Sequence, residues 1–127
     1  MTQTSPATRL LDGLRVLVVE DEAIVSFLLE DMLSALGALD VRHAGTLASA
    51  LAALDAGLPD LAVLDVNLGG ERVYPVAERL DAACVKFVFT TGYGRKGIEP
   101  RWAAKSVVQK PFSVETMAAA LRAVLQG

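Results

Sequence analysis

The chain has 127 residues, 53% hydrophobic and 21% charged, a balance that suits one globular domain and leaves no room for a second core. A formal net charge of -3 argues against general nucleic-acid binding, and no apolar run approaches the roughly 20 residues that span a bilayer. The single cysteine, Cys84, excludes an internal disulfide, and no basic region followed by an apolar core opens the chain, so the cytoplasm is expected.

Residues 1–13 (MTQTSPATRLLDG) read as a loose N-terminal arm before a body of residues 14–127. Residues 15–20 form a first strand that stops at Glu20-Asp21. Over 23–36, Val25, Leu28, Leu29, Met32 and Leu36 recur at helical spacing, and Gly37 stops that helix. A short second strand covers 39–43, and Thr46 caps a helix running to about Asp55. The third strand, 60–65, stops at Asp65 and is followed by the turn Asn67-Leu68-Gly69-Gly70. A third helix covers 73–82, and a fourth strand, 85–91, stops at Thr90-Thr91. Cys84, opening that run, is expected in the core.

Three glycines and Pro100 oppose a helix in 92–104, so a short, irregular or mobile segment is expected there. The fifth strand, 105–109, stops at Lys110-Pro111. Ser113 then caps a last helix with Val114, Met117, Ala118, Leu121 and Leu125 on one face.

Runs this short and this apolar read as parallel strands buried on both faces. Alternating with helices, they give a three-layer α/β sandwich with right-handed crossovers. The carboxyl ends of such strands share one edge, where ligands bind. Glu20, Asp21, Asp65, Thr91 and Lys110 are thereby brought together.

Three carboxylates in one place repel, and some stay protonated unless a cation relieves them. Few hard oxygen donors on rigid elements suit Mg²⁺. The plainer reading, that Glu20-Asp21-Glu22 only favours a helix N-terminus, leaves Asp65 unexplained. At a strand tip Asp65 can act as a nucleophile toward phosphorus. Lys110 offers a charge, Thr91 a hydroxyl and the amides of Asn67 to Gly70 further donors for phosphoryl oxygens. Pro111 holds Lys110 in extended geometry. His43 is expected as a surface or packing residue on an edge strand. Trp102 either anchors a partner or tacks its loop to the body, and Arg95, Lys96 and Arg101 make that loop basic.

These residues match a known family. Over residues 14–126 the chain resembles the receiver domain of bacterial two-component response regulators. The matching residues are V-E-D-E for Glu20 and Asp21, L-D-V-N for Asp65, T-T-G for Thr91 and K-P-F for Lys110. Their order and spacing (44 residues from 21 to 65, 26 from 65 to 91, 19 from 91 to 110) make the match specific. The resemblance implies a flavodoxin-like five-stranded parallel sheet in the order 2-1-3-4-5, flanked by helices, with a short or irregular fourth helix. It implies that a histidine kinase or phosphotransfer protein donates a phosphoryl group to Asp65 with Mg²⁺ bound. Asp21, Asp65 and the Asn67 carbonyl would ligate the metal directly and Glu20 through water, while Thr91 and Lys110 meet the acyl phosphate.

The segment F-T-T-G-Y-G, residues 89–94, looks like the FATGUY branch, largely single-domain regulators often partnered with HWE-type kinases. The aromatic usual three residues before the lysine is replaced by Val107, which makes Tyr93 the candidate substitute switch; the alternative is that Tyr93 packs half-buried. The expected protein is a signalling module that turns over no outside substrate, acts as a monomer or weak homodimer, and signals to an unknown downstream protein. A rival is an aspartyl-nucleophile phosphatase or phosphotransferase like the haloacid dehalogenase group. That group has an acid two residues after the nucleophile, where this chain has Asn67, an amide. A third reading is a phosphorylation-independent pseudo-receiver.

Overall fold

A computed structural model describes residues 9–126. Residues 1–8 of the expected arm lie outside the described residues. The main sheet has five parallel strands in the order β2-β1-β3-β6-β7, with β1 at Arg15–Val19, β2 at Asp40–Ala44, β3 at Leu61–Asp65, β6 at Lys86–Thr91 and β7 at Val107–Gln109. A two-residue hairpin, β4 at Asn67–Leu68 and β5 at Glu71–Arg72, stands apart from it. Setting that hairpin aside, the order is the flavodoxin-like 2-1-3-4-5.

Side-chain alternation along each strand feeds two cores. On one face Val16, Val18, Leu61, Val63 and Val88 pack against α1 (Ala23–Ala35) and α4 (Val114–Gln126) through Leu29, Leu33, Met117 and Leu121. On the other, Leu17, Val19, Ala62, Leu64, Phe87 and Phe89 meet α2 (Leu47–Ala56) and α3 (Tyr74–Ala82) through Ala50, Leu54, Val76 and Leu80. Each fully buried aliphatic side chain stabilises the fold by about 1.5–3 kcal/mol of transfer free energy. Helix starts follow their caps. Thr46 caps α2 in a reciprocal pair with Ser49, and the Ser113 hydroxyl accepts from the Thr116 amide at 3.1 Å.

Residues 9–13, read as part of the arm, include the fully buried Leu11, whose amide donates to the Leu36 carbonyl at 2.8 Å. Cys84 is exposed, contrary to the core expectation. With φ 60° it takes the left-handed position just past α3, ahead of the strand that begins at Lys86. The turn after Asp65 is a complete hairpin: Gly69 and Gly70 (φ 59° and 96°) give it the doubly left-handed geometry that matches strand twist.

No α-helix forms between β6 and β7. The segment contains two 3₁₀ turns, Gly94–Gly97 and Pro100–Trp102. Trp102 is buried, stacked on Tyr74 (centroids 6.3 Å apart) and edge-on to Phe87 and Phe89. It therefore tacks the loop to the body and is not displayed to a partner. Arg101 lies over its ring and pairs with Glu78 at 2.8 Å. Tyr74 adds a bridge, donating to the Gly97 carbonyl (3.3 Å) and accepting from the Glu99 amide (2.9 Å). His43, on edge strand β2, bonds Ser26 through Nδ1 and Glu30 through Nε2, a packing role joining β2 to α1.

Candidate functional site

Glu20 and Asp21 follow β1, Asp65 ends β3, Thr91 ends β6 and Lys110 follows β7, so all stand along the carboxyl edge. Carboxylate oxygens of Glu20, Asp21 and Asp65 lie within 4.8 Å of one another. Asp65 continues the row of Leu61 and Val63, and Glu20 that of Val16 and Val18, so both lean toward α1 and α4 and are buried. Asp21, one residue on, is exposed. A cleft of about 410 Å³ is lined by Asp21, Asp65, Asn67, Arg72, Thr91 and Lys110, among others.

The Lys110 ammonium lies 2.8 Å from Glu20 Oε1 and donates to Asp65 Oδ2 at 3.2 Å. Its approach to Glu20 is a close ion pair without hydrogen-bond alignment, so the buried Oε1 has no aligned hydrogen-bond donor among the described residues. Glu20 Oε2 accepts from the Glu22 amide at 3.1 Å.

Burial is the leading force on these groups. It lifts the Glu20 carboxyl from 4.5 to about 7, against the pull of Lys110 and the Glu22 amide and with a smaller push from Asp65. Asp65 is also raised by burial, opposed by Glu20, Lys110 and the Asn67 amide. Burial alone would lower Lys110, but its two carboxylate partners outweigh it and raise the ammonium above its ordinary value. Crowding of like charges, the cause expected from the sequence, is thus secondary to desolvation. A buried carboxylate oxygen lacking a donor, with two carboxyls raised by burial, is a set that a divalent cation relieves, and its hard oxygen donors fit Mg²⁺.

Thr91 Oγ1 accepts from the Tyr93 amide at 3.0 Å. Gly97 packs so closely that a Cβ there would sit 2.8 Å from Thr91 Oγ1. The Tyr93 ring is 75% exposed at the cleft rim, so the half-buried packing considered for it does not occur. Of the amides expected to face a phosphoryl oxygen, that of Gly70 is taken by Asn67 Oδ1 at 3.2 Å.

Two features escaped the sequence reading. Arg72 pairs across the hairpin with Asn67 and lines the cleft. Thr90 pairs in register with Asp65, and its buried hydroxyl has no hydrogen-bond partner among the described residues. The Gly69-Gly70 pair was the signal for the hairpin that returns Arg72 to the site.

The family model for the response regulator receiver domain matches residues 16–122. The chain belongs to that family. Among solved structures it resembles SdrG from Sphingomonas melonis Fr1, with 41% identity, a TM-score of 0.76 and coverage of 91% of this chain and 98% of that one. The BeF3-activated conformation of SdrG from Pseudomonas melonis Fr1 is similar at 44% identity, TM-score 0.75, covering 87% and 95%. The PhyR stress response regulator matches at 27% identity and TM-score 0.74, over 89% of this chain but only 45% of its own length. No curated protein matches. Receiver domains are phosphorylation-dependent signalling switches that interact with histidine kinases or phosphotransfer proteins, bind Mg²⁺ at an acidic pocket and are generally non-enzymatic. Among the described residues no helix is long and apolar enough to cross a membrane.

Proposed function

We propose that this chain is a receiver whose acceptor is Asp65, phosphorylated from the phosphohistidine of a histidine kinase, of the HWE type, or of a phosphotransfer protein. The observation that carries the reading is the position of Asp65: buried, in hydrogen-bond contact with Lys110 and within 4.8 Å of the Asp21 carboxylate. Asp21, Asp65 and the Asn67 carbonyl would hold Mg²⁺, with Glu20 acting through water. When bound, the ion neutralises charge on the transferring group.

One Asp65 carboxylate oxygen forms the new bond to phosphorus as the phosphorus–nitrogen bond of the donor breaks. The electron pair leaves with the imidazole nitrogen. Lys110 then pairs with the acyl phosphate, and the Thr91 hydroxyl turns toward it. Turning costs the Tyr93 N–H···Oγ1 bond, which supports Tyr93 as the substitute for the switch aromatic that Val107 replaces. The exposed apolar side chains of Ile24, Phe27 and Leu28 on α1 flank the site and suit contact with a donor protein.

The chain turns over no outside substrate in this reading, because Asn67 stands where an aspartyl phosphatase keeps its acid. It acts in the cytoplasm as a monomer or weak homodimer. The BeF3-activated conformation of SdrG supports the switch reading over a phosphorylation-independent pseudo-receiver. The test is labelling with radioactive acetyl phosphate and Mg²⁺: wild type takes a label that hydroxylamine, strong acid and alkali all release, as from an acyl phosphate, and Asp65→Asn takes none. Label persisting in Asp65→Asn, or recovered as phosphoserine, would overturn the assignment.

A further inference from the structure

Lys110, the lysine of the cleft, is already matched by Glu20 at 2.8 Å and Asp65 at 3.2 Å. An incoming phosphoryl group, carrying about two negative charges near neutral pH, also faces Asp21 and Glu22 on the cleft wall. A second cation lines that cleft. Arg72 is exposed, and its guanidinium makes no hydrogen bond or ion pair with any described residue. It sits on no free loop: β5 pairs Arg72 with Asn67, two residues after Asp65, and the Gly69-Gly70 turn fixes the register. The tip of the same hairpin approaches Asp21, since a Cβ at Gly69 would lie 3.8 Å from Asp21 Oδ2. The hairpin thus forms one wall of the site and carries an unmatched charge on it.

We propose that Arg72 binds the phosphoryl group of the donor as it arrives at Asp65, and so sets the rate of phosphorylation for anionic donors. The inference rests on Asp65 as acceptor. A guanidinium presents paired N–H donors in a plane, a shape that fits two oxygens of a phosphoryl group. Lys110 meets the same group as a point charge from the floor, while Arg72 meets it from the hairpin side. The transfer chemistry is unchanged, with the Asp65 oxygen–phosphorus bond forming as the donor's bond breaks.

The experiment compares phosphorylation rates by acetyl phosphate in wild type, Arg72→Ala, Arg72→Lys and Arg72→Glu, at low salt and at about 1 M salt. Arg72→Ala should be about fivefold slower at low salt, Arg72→Lys intermediate and Arg72→Glu slower still. The differences should shrink at about 1 M salt, where charges are screened beyond about 3 Å. Mg²⁺ affinity of the unphosphorylated protein provides the second readout. Loss of a nearby positive charge leaves it equal or tighter, whereas a damaged site would weaken it. Equal low-salt rates for wild type and Arg72→Ala, or a slow Arg72→Ala variant with weakened Mg²⁺ binding, overturn the inference alone. A wild type that takes no label at Asp65 overturns the acceptor assignment and the inference together.

Discussion

Glu20 is a buried carboxyl whose proton affinity rises on folding from the ordinary 4.5 to about 7. Between those two values the metal-free folded chain holds more protons than the unfolded one, so stability falls as pH rises, and the loss is complete above pH 7. At about 1.4 kcal/mol per pH unit, the displacement amounts to about 3 kcal/mol. Its side chain is 0% exposed, so solvent screening takes little from this figure. The perturbation is Glu20→Gln, which keeps the shape and removes the titration. The assay is denaturant unfolding in chelator at pH 5 and pH 8. Wild type should lose about 2–3 kcal/mol relative to Glu20→Gln between these conditions, because pH 5 already lies above 4.5, and saturating Mg²⁺ should restore most of it at pH 8. Asp65 is displaced in the same direction, so the double variant Glu20→Gln/Asp65→Asn should be flatter still. Parallel stability of wild type and Glu20→Gln across this range would refute the burial argument.

Asp21→Ala should abolish Mg²⁺ binding by the unphosphorylated protein, measured by titration calorimetry, with little change in stability because Asp21 is exposed. Tyr74→Phe removes the hydroxyl between Gly97 and Glu99; it should cost about 1 kcal/mol and accelerate hydrogen exchange at the Glu99 amide. Gly97→Ala forces a methyl group to 2.8 Å from Thr91 Oγ1; it should cost about 1–3 kcal/mol in unfolding experiments and slow labelling by acetyl phosphate.

The strand ends were legible because short apolar runs stopping at Asp65 or Lys110 carry their own position in a parallel sheet. The sandwich followed from alternation alone. The irregular stretch before β7 was legible too, since glycines and Pro100 oppose a helix locally. What holds it down was not: Trp102 on Tyr74 is a contact between segments far apart in the chain, and no local pattern announces it. The same limit applies to Glu20 and Asp21. Neighbours in sequence, they differ in burial because strand alternation points one inward, and the size of the resulting proton-affinity change depends on the surrounding core. Cys84 misled because its apolar neighbours suggest a strand, whereas the end of α3 needs one left-handed residue there.

The Tyr74 hydroxyl has a mechanical consequence. Tyr74 begins α3 two residues after Arg72, and through its hydroxyl it also grips residues 97–99 on the far bank of the cleft. The start of α3, just past the hairpin, and the segment that follows Tyr93 are therefore fastened to each other by one phenol.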